Sequence, residues 1–279
     1  MKAAVALCGA ALCALPARAQ QRPRAEPLPE GQLFQPLDAD PKQPHFFAAW
    51  LWTTSPLVTG QIASVGLGED IGIIRGPGGG RRRWQVSVAA GVFSQFNVQT
   101  PSNDLLNTDF VVGFPFTWRS GALSARARIY HQSSHLGDEF ILKTNPTRVN
   151  LSFEALELLL ARDLGSVRAY GGGEYIVRHE PADLKPGLIH FGVEYRYARA
   201  LLRLGGLGDG RLVAGLDAKS SQERKWQTGW STFAGLEFQP SSGVRHLSIE
   251  LQGYDGPAPY GQFYLENVRS VGFGLHFSL

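Results

Sequence analysis

The feature that most restricts the fold of this chain is a strict alternation of large apolar residues with small or polar ones, sustained over segments of roughly ten residues. The end of the chain shows it best. Val271, Phe273, Leu275, Phe277 and Leu279 alternate with Gly272, Gly274, His276 and Ser278. Ile189, Phe191, Val193, Tyr195 and Tyr197 alternate in the same way with His190, Gly192, Glu194 and Arg196, as do Phe110, Val112, Phe114, Phe116 and Trp118 with Asp109, Val111, Gly113, Pro115 and Thr117. Successive side chains of a β-strand leave on opposite faces, so each segment describes a strand with one greasy face and one small or polar face. Similar alternation recurs near 84–96, 121–133, 165–178, 211–219, 228–238 and 244–254, and more weakly at 47–53, 61–74 and 148–162.

These segments predict about twelve strands, each long enough to cross a hydrocarbon layer at a tilt. No stretch approaches the eighteen or so uncharged apolar residues of a membrane helix, so insertion must be by strands. An even strand count puts both termini on one side, the periplasm. The connections agree with that direction. Arg119-Ser120, Asp163-Leu164 and 239–243 read as tight periplasmic turns, and 97–106, 134–147, 179–187, 220–227 and 255–268 read as longer outer loops. The stretch 199–210 departs from this, being long on the periplasmic side.

Residues 1–19 read as a secretory signal: Lys2, an apolar run from Ala3 to Leu15, then Ala17-Arg18-Ala19 as a cleavage site. Both cysteines, Cys8 and Cys13, fall inside it, so the mature chain is expected to carry no thiol, disulfide or cysteine metal site. Residues 20–44, with Pro23, Pro27, Pro29, Pro36, Pro41 and Pro44, have neither helical nor strand period and predict an extended periplasmic tail before a barrel at 45–279. A formal charge of +3 gives no case for nucleic acid.

With 43% hydrophobic residues and 33 glycines, composition fits a soluble sandwich and a barrel alike, and the polar faces decide between them. A sandwich turns its polar face to bulk water, where nothing demands small residues or matched charges. Here Arg126, Arg128, Glu154, Glu174, Glu194, Arg196, Asp217, Lys219, Glu237 and Glu250 stand among glycines and serines. Both signs at one depth predict a narrow lumen plugged by ion pairs, and so a transmembrane antiparallel β-barrel of the bacterial outer membrane.

The densest reactive cluster is Arg126-Ala127-Arg128-Ile129-Tyr130-His131-Gln132-Ser133-Ser134-His135-Leu136-Gly137-Asp138-Glu139-Phe140. Leu123, Ala125, Ala127 and Ile129 set the greasy face of this fifth strand, which places His131 and Ser133 on the lipid side, about 7 Å apart along the strand. That spacing lets an imidazole take a serine proton at a membrane edge, where a lipid ester is within reach. Three readings compete. The pair lies among headgroups as ordinary polar surface; it belongs to a serine hydrolase, with Asn150, Asn145, Asp138 or Glu139 as third residue; or His131, His135, Asp138 and Glu139 bind a metal, with calcium suited to the carboxylates. Ser134, His135, Asp138 and Glu139 are also candidate binding residues. Gly76 to Gly80 lacks the pattern of a phosphate loop, since Pro77 interrupts it and three arginines follow.

The His131-x-Ser133 pair resembles the motif of two outer-membrane lipid hydrolases, outer-membrane phospholipase A and lipid A deacylase, in which it faces lipid near the outer end of a strand; both follow the serine with asparagine where this chain has Ser134. The resemblance implies outer-membrane lipids as partners. The alternating C-terminal strand is similar to the signal read by the barrel-assembly machinery, with Leu279 in place of the usual aromatic. More widely, the segment from Tyr130 to Phe140, Arg148-Val149-Asn150-Leu151-Ser152, the segment from Tyr170 to Glu174, and Ala214-Gly215-Leu216-Asp217 resemble the exported bacterial family known as domain of unknown function 1207, which implies a barrel and assigns no activity. The function expected from the chain is binding, passage or structural, with a lipid-active serine hydrolase as the alternative.

Overall fold

A computed structural model describes residues 25–146, 149–240 and 246–278. The expected signal segment, residues 241–243 of one expected turn, Arg148 and Leu279 lie outside the described residues. The first half of the chain forms β1 (Glu26–Pro27), β2 (Phe46–Thr54), β3 (Thr59–Pro77), β4 (Arg82–Asn97), β5 (Asp104–Ser120), β6 (Leu123–Leu136), the helix α1 (Asp138–Thr144) and β7 (Leu151–Leu164). The second half forms β8 (Val167–Glu180), β9 (Gly187–Arg196), β10 (Leu202–Leu204), β11 (Gly208–Ser221), β12 (Thr228–Gln239), β13 (His246–Pro257) and β14 (Asn267–Ser278).

All pairings are antiparallel, and twelve strands close into a barrel when β14 pairs with β2, from Arg269 opposite Thr54 to Phe277 opposite Phe46. Only β1 and β10 lie outside this ring. Closure leaves the ring without an edge strand, the condition for spanning a medium that offers the backbone no hydrogen bonds. The β14–β2 register also brings the start of β2 and the end of β14 to the same end of the barrel.

The alternation of the sequence is the alternation of the wall. Phe110, Val112, Phe114 and Phe116 point outward from β5, and Val271, Phe273 and Leu275 from β14, each more than 40% exposed. An uninterrupted outer belt of this kind is unstable in water and is the surface that hydrocarbon covers.

The turns at the end where β2 begins and β14 finishes fall at Gly121-Ala122 and Gly165-Ser166, two residues beyond those expected. The glycines explain the shift, because their φ values of 58° and 69° lie in the region that two-residue hairpin turns require. The long exception on that side resolves into β10, which pairs with the start of β11 and prolongs the hairpin past the ring. At the opposite end the connections are longer, and α1 tucks Phe140 against Ile62 and Leu106. By the asymmetry of such barrels this is the outer end.

Residues 25–45 correct the expectation of a trailing tail. β1 first pairs with Ile74 and Arg75 in the stretch of β3 that lies beyond its register with β2, with Glu26 opposite Arg75. The segment then runs through the lumen and fastens to its walls. Phe34 and Leu37 are buried against Leu159, Ala161 and Tyr170, and the guanidinium carbons of Arg126 and Arg168 lie 5.0 and 4.7 Å from the Phe34 ring. The Arg168 guanidinium donates to Pro36 O at 2.8 Å and Gln35 O at 2.9 Å. Lys219 Nζ reaches Asp40 at 2.8 Å, and Lys42 pairs with Asp109. Burial strips the Asp40 carboxylate of water, and the Lys219 ammonium and the Lys42 N–H, at 2.8 and 2.9 Å, replace it. The prolines do not free this segment; it carries the apolar and charged side chains that a barrel interior lined with charge needs as partners.

The wall charges pair among themselves as well. Arg126 Nε and Arg128 Nη2 donate to Glu157 at 2.7 and 2.6 Å, Arg168 Nη1 lies 3.1 Å from Glu194, and Arg196 Nη2 lies 2.8 Å from Glu237. A lumen closed in this way should conduct poorly. In planar bilayers the full chain is expected to give no large stable single-channel current, and deletion of residues 25–44 is expected to open one; large currents from the full chain would refute the plug.

Candidate functional site

On β6 the inward residues are Ser124, Arg126, Arg128, Tyr130, Gln132 and Ser134, and the outward ones are Leu123, Ala125, Ala127, Ile129, His131, Ser133 and His135. The expected parity therefore holds at the cluster: His131 and Ser133 face out. The apolar band of this wall ends at Ile129 on β6 and at Leu156 on β7. His131 is the next outward residue after Ile129, and on the neighbouring β5 the apolar outer face continues through Val112 opposite His131 and Phe110 opposite Ser133.

Across the β6–β7 pair, His131 stands opposite Glu154 and Ser133 opposite Ser152. Glu154 Oε1 lies 3.1 Å from His131 Nδ1, and the two side chains are 33% and 40% exposed, open enough for a lipid to reach. A carboxylate on Nδ1 fixes the ring and favours the tautomer that leaves Nε2 as a bare acceptor. That nitrogen has no hydrogen-bond partner among the described residues, and none joins the imidazole to Ser133 Oγ. Such contacts are commonly long before a substrate is bound.

Glu154 is the residue the sequence reading misplaced, counted among the lumenal charges. Its correct side was visible: Leu156, Leu158 and Leu160 all face lipid, and counting back by two from them puts Glu154 on the same face. Asn150 is exposed in the segment before β7 and makes no bond to His131, and Asn145 caps the end of α1 with φ 44°. Neither meets the imidazole.

The remaining candidates disperse. Ser134 is buried in the lumen, donating to Asp109 and, at 3.3 Å, to Asn107 Oδ1. His135 lies outside with its ring edge-on to Phe110, centroids 5.8 Å apart. Asp138 and Glu139 are exposed in the first turn of α1, and no group of three potential metal ligands forms there or around His131 and His135 among the described residues. Glu157, Glu174 and His190 do converge within 4.8 Å inside the lumen. Two arginines already hold the Glu157 carboxylate, and Asp217 accepts from His190 Nε2 at 2.5 Å, so these side chains serve the interior charge network.

A closed twelve-strand barrel with a lipid-covered outer face and a charged, occupied lumen is an integral protein of the bacterial outer membrane. The chain belongs to the family described as Protein of unknown function (DUF1207), whose model matches residues 6–279. A comparison with curated protein sequences finds no match. Among solved structures, the outer membrane phospholipase A of Escherichia coli is similar in fold at a TM-score of 0.57 and 12% identity, covering 85% of this chain and 91% of that one. The Salmonella typhi outer membrane phospholipase, solved as a dimer with bound calcium, gives 0.58 and 12% over 90% of this chain and 94% of that one.

The parity of the site has a direct test. In a chain lacking residues 1–19 no cysteine remains, so single Ser133→Cys and Ser134→Cys variants can be treated with a thiol reagent in detergent. Fast labelling at 133 and slow labelling at 134 is the expected outcome, and the reverse would show the register to be wrong.

Proposed function

We propose that the protein is a serine hydrolase of outer-membrane acyl lipids, with Ser133 as nucleophile, His131 as general base and Glu154 as the group that orients the imidazole. The observation carrying this reading is the 3.1 Å contact from Glu154 Oε1 to His131 Nδ1 on the lipid face, beside an outward serine two residues along the same strand. Polar groups at a lipid rim are ordinary; a serine, an imidazole and a carboxylate held by two adjacent strands in the order that acyl transfer uses are much less so.

In this reading an ester carbonyl enters from the membrane and Ser133 Oγ attacks it while His131 Nε2 takes the hydroxyl proton. The tetrahedral adduct collapses, the C–O bond to the lipid alcohol breaks, and the imidazolium returns the proton to that alcohol. Water, deprotonated by the same imidazole, then attacks the acyl-serine and releases a fatty acid with the serine restored. Glu154 stabilises the transient imidazolium, and the bilayer supplies the substrate without a binding pocket. The fold shared with outer membrane phospholipases supports an outer barrel wall as a place for such chemistry. Passage through the barrel is the weaker reading, because residues 25–45 occupy the lumen.

In mixed micelles the wild type is expected to release fatty acid from phospholipid. Ser133→Ala and His131→Ala should each lower the rate at least about 10²-fold, and Glu154→Ala by a comparable factor. Equal rates for wild type and Ser133→Ala would remove the serine from the mechanism.

A further inference from the structure

The row that holds His131 and Glu154 continues on β8. Glu154 stands opposite Arg178, and Arg178 Nε lies 4.0 Å from Glu154 Oε2. Arg178 does not reach the outside by the plain alternation of its strand. Tyr175 faces out and Ile176 in, so an unbroken count would turn Arg178 into the lumen. The β7–β8 register slips at this point: Ala155 pairs with Ile176 while Glu154 pairs with Arg178, which leaves Val177 as an extra residue. This β-bulge exposes Val177 and Arg178 together, and beyond it Glu180 lies opposite Ser152. A bulge that re-aims one side chain beside a reactive row is a recurrent device of functional sites.

The re-aimed group is an exposed cation on the outer face. The Arg178 side chain is 85% exposed, and its one ion-pair partner among the described residues, at 4.0 Å, is a carboxylate already engaged by His131. Its guanidinium fork is therefore open to a second anion. Strands lie about 4.8 Å apart, which places Arg178 two strands and about 10 Å from His131, with a side chain long enough to lean back over the gap. Phosphate is the anion that membrane lipids carry a few bonds from an acyl ester, and the guanidinium matches its oxygens in bidentate geometry.

We propose that Arg178 reads the phosphate of the lipid whose ester meets Ser133, so that the substrate class is a phosphorylated acyl lipid and not a neutral glyceride. This rests on the hydrolase reading for the ester and on the bulge for the phosphate. Glu180, two residues along, lies on the far side of Arg178 from the apolar band.

The test has a kinetic and a binding arm. In mixed micelles, kcat/KM is measured for a dihexanoyl phospholipid and for dihexanoylglycerol with wild type, Arg178→Ala, Arg178→Lys and Ser133→Ala. The ratio of phospholipid to glyceride is expected to fall about 10- to 100-fold in Arg178→Ala, through KM, and to recover in part in Arg178→Lys. A fall in kcat for both substrates would instead make Arg178 a positioning residue for Glu154 and overturn the proposal, as would an unchanged ratio. The binding arm titrates the same two lipids and inorganic phosphate into wild type and Arg178→Ala. Loss of the phospholipid preference supports the proposal, whereas binding of inorganic phosphate with no gain from the acyl chains overturns it. Should Ser133→Ala hydrolyse both lipids at the wild-type rate, the hydrolase reading fails alone, and the binding arm still decides whether Arg178 reads phosphate.

Discussion

A bilayer interior offers the peptide backbone no hydrogen-bond partner, and the whole structure follows from that constraint. It demands a ring without edges, which the pairing of β14 with β2 completes. Once the ring is closed, the period of two assigns each side chain to lipid or lumen, and a slip of one residue exchanges the two populations. The outer belt of Phe110, Phe114, Leu158 and Phe273 and the inner array of Asp109, Arg126, Glu157 and Asp217 are two readings of one alternation. Where the alternation is broken, as at Val177 on β8, the break has a consequence for the outer face.

The inner array creates a problem that the wall alone does not solve. Charges withdrawn from water need partners at hydrogen-bond distance. Wall pairs supply some, and the segment from 25 to 45 supplies others: Asp40 for Lys219, Lys42 for Asp109, and backbone carbonyls for Arg168 and Arg119. Its apolar residues, Phe34 and Leu37, fill the space between them. The barrel and its plug thus complete one another.

Most of the fold was legible in the sequence because its signal is local. Alternation identified the strands, and it set the sides of His131 and Ser133 without any knowledge of their neighbours. The plug was not legible, since prolines and mixed charge describe a loose tail equally well and the partners of Asp40 and Lys42 lie far along the chain. The turn boundaries moved because positive-φ glycines, and not the charged residues before them, make the hairpins. At the site, Glu154 could have been found by counting back from Leu160, whereas Arg178 could not, because a bulge is a property of two paired strands and leaves no mark in one.

The site that emerges is a row across three strands at the lipid rim, His131, Glu154 and Arg178, with Ser133 beside it. Its proposed chemistry depends on one assignment above the others, that Ser133 is a nucleophile activated by an imidazole which Glu154 orients. The most direct measurement is covalent trapping with an alkyl fluorophosphonate in detergent, followed by mass spectrometry of the peptides. A phosphonyl adduct on Ser133 in the wild type and its loss in His131→Ala are the outcome expected of this assignment. An unmodified Ser133, or equal modification with and without the histidine, would contradict it.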